Sequence, residues 1–581
     1  MSKAVIIGGI IVVVGSVGGG GYYYVSQQVE HKFQEQIKII EHANPGSSLT
    51  FANHSINVFS QKVTLDKVQY TQKDGTVYNA DQVDITLGAD HSLSKLSVNA
   101  LSGHDKENLN QFSAAHVDVD NFKAEPGAWV VKDGHLEKLY PSKIKFDLLN
   151  IGQLQATTKD EVLKFGEFQI KDFGVGRKTD IILKQQDIKS TDDTHKYQAT
   201  LGNFQVYKIN LADISKIIET RYQELQSDQT KEAKVKATLN ILSQVNFALL
   251  NIGDFKLASE PPNDLSMGLK QFQIKDYGTN QLGNITLNQL DIYNVDGKPD
   301  NYLKVGSFDS GKILLALTFK NLSQIKWDNL YNFSKQFSDI QVEEMKKLGA
   351  MTTSANLSDV AFGFEGNKID LSKFEVIGTQ DTKGDIKANY RLNDLKMNFS
   401  DQDRDVKILI DMGYKTLEFS GMMNVIYQKD ISQWTYTFDN VAIKDFGALN
   451  LTFKMIAPFN FGSENPMTLM LNPNLKFVGF NMNLLSKGII QRFIDYTAKK
   501  RGISVDQVKE GIISEIKLRA EAKSSDVVLQ QLCQAAIEIV QDPQKALLIN
   551  INPPSAVPFI SMMGANSNQV AKQLDIQIKA Q

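Results

Sequence analysis

The chain has 581 residues, with 63 basic and 66 acidic side chains and a formal net charge of −3. Only seven of the basic residues are Arg and none of the basic residues form a dense cluster, so nucleic acid is not an expected partner, because counterion release needs clustered cations. The single cysteine, Cys533, rules out an internal disulfide framework and any CxxC pair, and its apolar run reads as that of a buried, inert thiol.

Residues 4–25 carry no charged side chain. As a helix this stretch spans about 33 Å, enough for a hydrocarbon core of about 30 Å. Tyr22, Tyr23 and Tyr24 then stand where an interfacial aromatic belt belongs. Residues 1–25 are therefore expected to be a retained transmembrane anchor, with a cleaved signal peptide as the alternative. Residues 26–48 read as an amphipathic stalk helix carrying Val29, Phe33, Ile37 and Ile40 on one face.

From residue 49 the apolar period changes to two. Val63 and Leu65, then Val68 and Tyr70, alternate with polar residues; Asp74-Gly75 marks a turn, and Val83, Ile85 and Leu87 follow. This N-terminal β region runs to residue 147. The stretch Leu65–Leu87 resembles the opening strands of AsmA-like proteins, a bacterial family anchored in the inner membrane with long periplasmic β-structures. The anchor, the β-repeats and the late helices also resemble the YdgA-like family of anchored periplasmic proteins, which has no assigned chemistry. These resemblances imply a single-pass inner-membrane protein whose bulk is periplasmic, with phospholipid or other envelope proteins as partners.

A repeat begins at residue 148. Leu148-Leu149-Asn150-Ile151-Gly152 recurs as Leu249-Leu250-Asn251-Ile252-Gly253, an offset of 101 (249 − 148). Phe168-Gln169-Ile170-Lys171-Asp172-Phe173-Gly174 recurs as Phe272-Gln273-Ile274-Lys275-Asp276-Tyr277-Gly278, an offset of 104 (272 − 168). At the same offset Ile181, Leu183, Gln185, Gly202 and Phe204 match Ile285, Leu287, Gln289, Gly306 and Phe308. A shorter copy, Ile443-Lys444-Asp445-Phe446-Gly447, lies further on. Residues 148–248 and 249–350 are thus expected to be two units, each of several strands and one helix (about 211–245 and 322–348). Within the phrase, Phe168 and Ile170 are expected on one face, Lys171-Asp172 on the solvated side, and Gly174 at a turn or bulge. Recurrence inside one chain points to shared geometry rather than shared chemistry at Lys171, Asp172, Lys275 and Asp276.

Residues 351–483 form a third β region, in which Ile386, Ala388, Tyr390 and Leu392 alternate with polar residues, as do Ile408, Ile410, Met412 and Tyr414. Helical spacing returns over 484–543. Three helices are expected there, at 484–501, from a Ser504/Gln507 capping box to 523, and at 526–541. Residues 544–581 supply two closing strands, 547–551 and 574–578. The fold class is mainly β with helices (α+β): an N-terminal transmembrane helix, then repeated antiparallel, curled β-sheet units, each with a covering helix.

Nothing in the sequence carries recognisable chemistry. The eight His have no metal-ligand spacing, Asp401–Asp405 lacks the Gly and Glu of a calcium loop, and no nucleophile or dinucleotide motif occurs. No catalytic, metal or cofactor residue is assigned. The expected function is a membrane-anchored periplasmic β-scaffold that shelters or moves acyl chains. The alternatives are a purely structural scaffold with no ligand groove and, third, an unrecognised hydrolase.

Overall fold

The computed structural model describes residues 46–57, 59–88, 93–132, 135–190, 196–226, 238, 244–260, 264–278, 283–311, 351–401, 406–458, 472–562 and 566–581. The expected anchor, nearly all of the stalk, and the helix expected at 322–348 lie outside these residues. Among the described residues no helix is long and apolar enough to cross a membrane.

The chain forms two compact units that divide at Leu287/Asn288. In the first, β1 (Ser48–Thr50) and β2 (Asn53–Asn57) both pair with β3 (Lys62–Thr71). Each strand then pairs antiparallel with the next: β4 (Val77–Leu87), β5 (Leu93–His104) and β6 (Gln111–Ala124). A separate small hairpin, β7 (Trp129–Lys132) and β8 (His135–Leu139), precedes β9 (Ile144–Thr157), which pairs with β6. The succession continues through β10 (Glu161–Phe173), β11 (Thr179–Ser190), β12 (Tyr197–Ile209), β13 (Phe247–Ser259) and β14 (Ser266–Tyr277). Helix α1 (Leu211–Gln226) lies between β12 and β13 in the chain, and β15 (Asn284–Tyr293) spans the division between the units.

The second unit runs β16 (Tyr302–Ser310), β17 (Met351–Phe364), β18 (Asn367–Gln380) and β19 (Ile386–Asn398), then the short α2 (Lys407–Asp411). It goes on through β20 (Thr416–Gln428), β21 (Gln433–Ile443), β22 (Gly447–Ile456) and β23 (Lys476–Ser486). Helices α3 (Ile489–Arg501), α4 (Val505–Ala522) and α5 (Val527–Gln541) follow. β24 (Ala546–Ile551), β25 (Val557–Pro558), α6 (Phe559–Met562), α7 (Ser567–Leu574) and β26 (Ile576–Ala580) close the chain. The Ser504/Gln507 capping box forms with both of its hydrogen bonds, and Asp526 caps α5 by accepting from Leu529 N at 3.0 Å.

The expected fold class is corrected here. Among the described residues twenty-four strands, all except β7 and β8, belong to one antiparallel sheet rather than to separate sheet units each with its own helix. The repeats meet inside that sheet: β12, last strand of the first copy, pairs with β13, first of the second, through Phe204↔Ile252 and Val206↔Leu250. An edge facing its own copy finds complementary backbone donors and acceptors, so nothing terminates the sheet at residue 248. Helix α1 meets the inner core with its first turn, where Ala212 is fully buried and Leu211 packs beside it. It docks at a strand end, where Glu219 accepts from Ser142 N at 3.1 Å and Asp213 accepts from Gly176 N at 3.0 Å. Two local expectations also change. Residues 407–411 form a helical turn instead of a strand, closed by the left-handed Gly413 (φ 91°), and Ser567–Leu574 is a helix, so the last strand starts at Ile576.

The sheet does not keep a simple period of two. In β9 the core-facing residues are Ile144, Phe146, Leu149, Ile151, Leu154 and Ala156, and in β10 Leu163, Phe165, Phe168, Ile170 and Phe173. The spacing alternates between two and three, a five-residue cycle. The extra outward residue falls on two creases that cross the strands. One crease holds left-handed residues on alternate strands, at Lys67 (φ 51°), Ala100 (51°), Gln153 (51°), Gln185 (53°) and Asp254 (52°). The other holds Asn121 (φ 53°), Asp172 (54°), Lys208 (57°) and Asp276 (49°), on the strands that the first crease skips. A left-handed residue bends a strand as in a β-bulge. Here the partner strand also gains a residue, so the register is unbroken: Phe165 pairs with Leu154 and Glu167 with Gly152 on either side of Gly166 and Gln153.

The matched glycines now have a steric reason. Gly202 lies between the left-handed Gln185 and Asp254, and a Cβ there would sit 2.8 Å from Asp254 Cβ. Gly306 faces the left-handed Asp359 (φ 53°), whose Cβ would be 2.6 Å away.

Candidate apolar-ligand site

Register aligns the core-facing residues of the first unit into continuous rows. Leu65, Val83, Val98, Val117, Ile151, Phe168, Leu183, Phe204, Ile252 and Phe272 are consecutive partners across ten strands. Val63, Ile85, Leu96, Val119, Leu149, Ile170, Ile181, Val206, Leu250 and Ile274 form a second such row. At about 4.8 Å per strand each row extends about 43 Å. The residues up to β9 are nearly all buried; from β10 to β14 most are half-buried.

Between these rows, on the opposite face, runs a polar ladder through Thr64, Asp84, Ser97, Asp118, Asn150 and Gln169 and on to Gln205, Asn251 and Gln273, interrupted by Ile182. Its members bond along the sheet: Thr64 Oγ1 donates to Asp84 at 2.6 Å, Ser97 Oγ to Asp118 at 2.5 Å, and Asn251 Nδ2 to Asn203 Oδ1 at 2.7 Å. Asp84 is additionally paired with Lys62 at 3.1 Å. The first unit is therefore two-faced, apolar within and hydrogen-bonded without.

The signature residues occupy defined places in this frame but do not converge. Phe168 and Phe272 stand in the first row, Ile170 and Ile274 in the second, and the two copies are four strand spacings apart, about 19 Å. Lys171 and Lys275 precede the left-handed Asp172 and Asp276. Gly174 (φ 151°) stands at the expected turn, in the β10–β11 connection, where its carbonyl accepts from Arg177 N at 3.0 Å; the crease is made separately, two residues earlier, by Asp172, and Gly278 follows the end of β14 without a left-handed φ. In the third copy Ile443 and Gly447 are partners flanking a hairpin connection, Lys444 pairs with Glu418 at 3.2 Å, and Asp445 (φ 58°) is the left-handed residue. The Asp445 carbonyl accepts from Tyr414 Oη at 2.9 Å, and the Tyr414 ring lies 4.3 Å beneath the Arg492 guanidinium of α3. That copy anchors the helical layer instead of lining the sheet. Among the described residues no group of three or more His, Cys, Asp or Glu could hold a metal ion.

At one end of the inner face the β3–β4, β5–β6 and β9–β10 connections surround a cleft of about 70 Å³. Its wall is another register row, Tyr78, Phe112, Ala156 and Leu163, completed by Gly103 between the two rings. Its rim is polar, with Thr76, His104, Gln111, Thr157, Thr158 and Glu161 among its residues. Burial, with lesser contributions from the Asp74 carboxylate and Tyr70, pushes the Tyr78 phenol up to about 12. The rim carboxylates have internal partners: Asp105 accepts from Leu109 N, Asn110 N and Asn110 Nδ2, and Glu161 accepts from Tyr197 Oη at 2.7 Å. The Asn110 amide chiefly holds Asp105 below the usual carboxylate range. The turn at Asp74-Gly75 is visible in the sequence, but only the register of six strands puts it beside the β5–β6 and β9–β10 tips.

A family model described as an uncharacterized protein matches residues 435–581, from β21 to the C-terminus. No curated protein matches the chain.

Proposed function

We propose that this protein is an envelope β-scaffold, tethered to the bacterial inner membrane through residues 4–25, whose inner apolar face shelters lipid acyl chains. The observation that carries this reading is the pair of apolar rows, unbroken over ten strands and half-buried from β10 to β14. A length of about 43 Å exceeds one leaflet, about half of a 30 Å hydrocarbon core, so a whole chain fits along the rows. The polar ladder supports it too, since it leaves water contact to one face and chain contact to the other. The AsmA-like resemblance of Leu65–Leu87 points the same way. A ligand-free scaffold is the competing reading, favoured by the burial of the rows as far as β9.

Photo-crosslinking separates the two. With p-benzoylphenylalanine at position 204, in the inner row, the full-length protein in cells is expected to capture phospholipid. At position 205, on the outer ladder, it is expected to capture none. Equal capture at both positions, or none at 204, rules the lipid reading out.

A further inference from the structure

We propose that the cleft at the hairpin tips binds the polar end of a single-chain, uncharged amphiphile, of the monoacylglycerol or fatty-alcohol kind, and rejects the corresponding fatty acid. The inference rests on the reading of the inner face as a surface for acyl chains, because the cleft's wall, Tyr78, Phe112, Ala156 and Leu163, is a row of that same face.

Size sets the chain number. At about 70 Å³ the cleft is less than half the 150 Å³ of an apolar cavity that admits benzene, so it takes one linear chain at a time. Charge sets the head group. Among the described residues that line the cleft none is Lys or Arg, whereas Asp105 and Glu161 both stand on the rim. The Lys106 stem packs over Gly75 in the neighbouring connection, where a Cβ would meet it at 3.1 Å. A carboxylate or phosphate entering here would lose water and meet two acids, while Lys106 and Lys159 belong to the surrounding connections and not to the lining.

An alcohol meets suitable partners instead. His104 Nδ1 lies 2.9 Å from its neighbour's carbonyl, Asp105 O, so in the neutral ring Nδ1 carries the proton and Nε2 is left as an acceptor. Tyr78 is a neutral phenol and an O–H donor in the wall, and Thr157 and Thr158 add hydroxyls. A head-group hydroxyl donating to His104 Nε2 and accepting from Tyr78 Oη is satisfied without any charge.

The test uses diazirine-labelled monoacylglycerol and diazirine-labelled fatty acid of equal chain length on the full-length protein, with peptide mapping of the adducts. The monoacylglycerol is expected to label the peptides containing Phe112 and Leu163, and the fatty acid to label them at least tenfold less. Tyr78→Phe, which removes only the hydroxyl, is expected to lower monoacylglycerol labelling about tenfold. Ala156→Trp is expected to abolish it while phospholipid capture at position 204 persists, which also reports an intact sheet. Equal labelling by the two probes, or labelling by neither while position 204 still captures phospholipid, overturns this proposal alone. Loss of capture at position 204 in the otherwise unmodified protein, together with no cleft labelling, overturns both readings.

Discussion

The Lys-Asp pair of the repeated phrase can be tested for geometry against chemistry by substituting two adjacent residues. Asp276 is exposed and left-handed at φ 49°, whereas its exposed neighbour Lys275 lies in extended strand, paired with Leu249. A non-glycine residue in the left-handed region costs about 1–2 kcal/mol, less for Asp than for most. Asp276→Gly removes that cost against the entropy of a glycine, and is expected to be neutral or stabilising by up to about 1 kcal/mol. Asp276→Val forces a β-branched residue into the same region and is expected to destabilise by about 1–3 kcal/mol. At Lys275 the order inverts: Gly should cost about 0.5–1 kcal/mol, and Val should fall within about 0.5. Amide hydrogen exchange of peptides covering Ser266–Tyr277 in the full-length chain reads these differences locally, at about tenfold in rate per 1.4 kcal/mol. Should glycine change protection equally at 275 and 276, crease geometry would not explain the phrase.

Two further outcomes follow from the same packing. Gly202→Val, whose Cβ would sit 2.8 Å from Asp254 Cβ, should destabilise by about 1–3 kcal/mol in a thermal melt, whereas Gly268→Ala, with nothing within 4 Å of its Cβ, should change little. Asp147 is held below the usual carboxylate range chiefly by Arg177, which donates at 2.6 Å, and then by Asn121, also at 2.6 Å. A depressed pKa contributes stability above the unfolded value of about 3.9 and loses it as pH falls through the folded value. Arg177→Gln should therefore melt lower than the parent protein near neutral pH, with the gap narrowing on acidification below pH 4; a gap that widens there would refute the assignment.

Much of this architecture was legible in the sequence because apolar rows need apolar residues at regular places. Val63/Leu65 and Val68/Tyr70 were recognisable as alternating pairs, and the step of three between Leu65 and Val68 is the crease itself. It went unread because a period of two treats such a step as a break between strands, not as a feature of one strand. The left-handed positions hold Lys, Ala, Gln, Asn and Asp, so no single residue type announces them; Gly174 marks the turn after β10, but nothing marks Asp172 two residues before it. That the repeats share one sheet was not legible for a different reason. Periodicity says that a segment is a strand but not which strand it neighbours, and a repeat that pairs with its own copy has no boundary to detect. The cleft was hidden for the same reason, its lining being drawn from segments as distant as Thr76 and Leu163.

The alternation of creases sets a rule for how such a chain can lengthen. Left-handed residues of one crease fall on every second strand, facing smaller or unstrained partners such as Ala115, Gly166 and Gly202. Inserting an odd number of strands would reverse the strand direction and set two left-handed residues opposite each other, as Gln153 against Gln185. The duplication obeys the rule, since β9–β12 and β13–β16 are four strands each. Removing one copy at equivalent positions should then preserve both creases. Deleting residues 150–250 joins Leu149 to Asn251 and yields a hybrid strand in which Asp254 takes the place of Gln153, both left-handed. Ile252 then follows Val117 in the first inner row, as Ile151 does now. This deletion is expected to retain strand-dominated circular dichroism and a cooperative melt, whereas deleting residues 150–200, which fuses β9 to β12 and loses three strands, an odd number, is expected to give aggregated or protease-sensitive protein. If both shortened chains fold equally well, the creases are incidental to the sheet, and the inner rows owe their continuity to hydrophobic pairing alone.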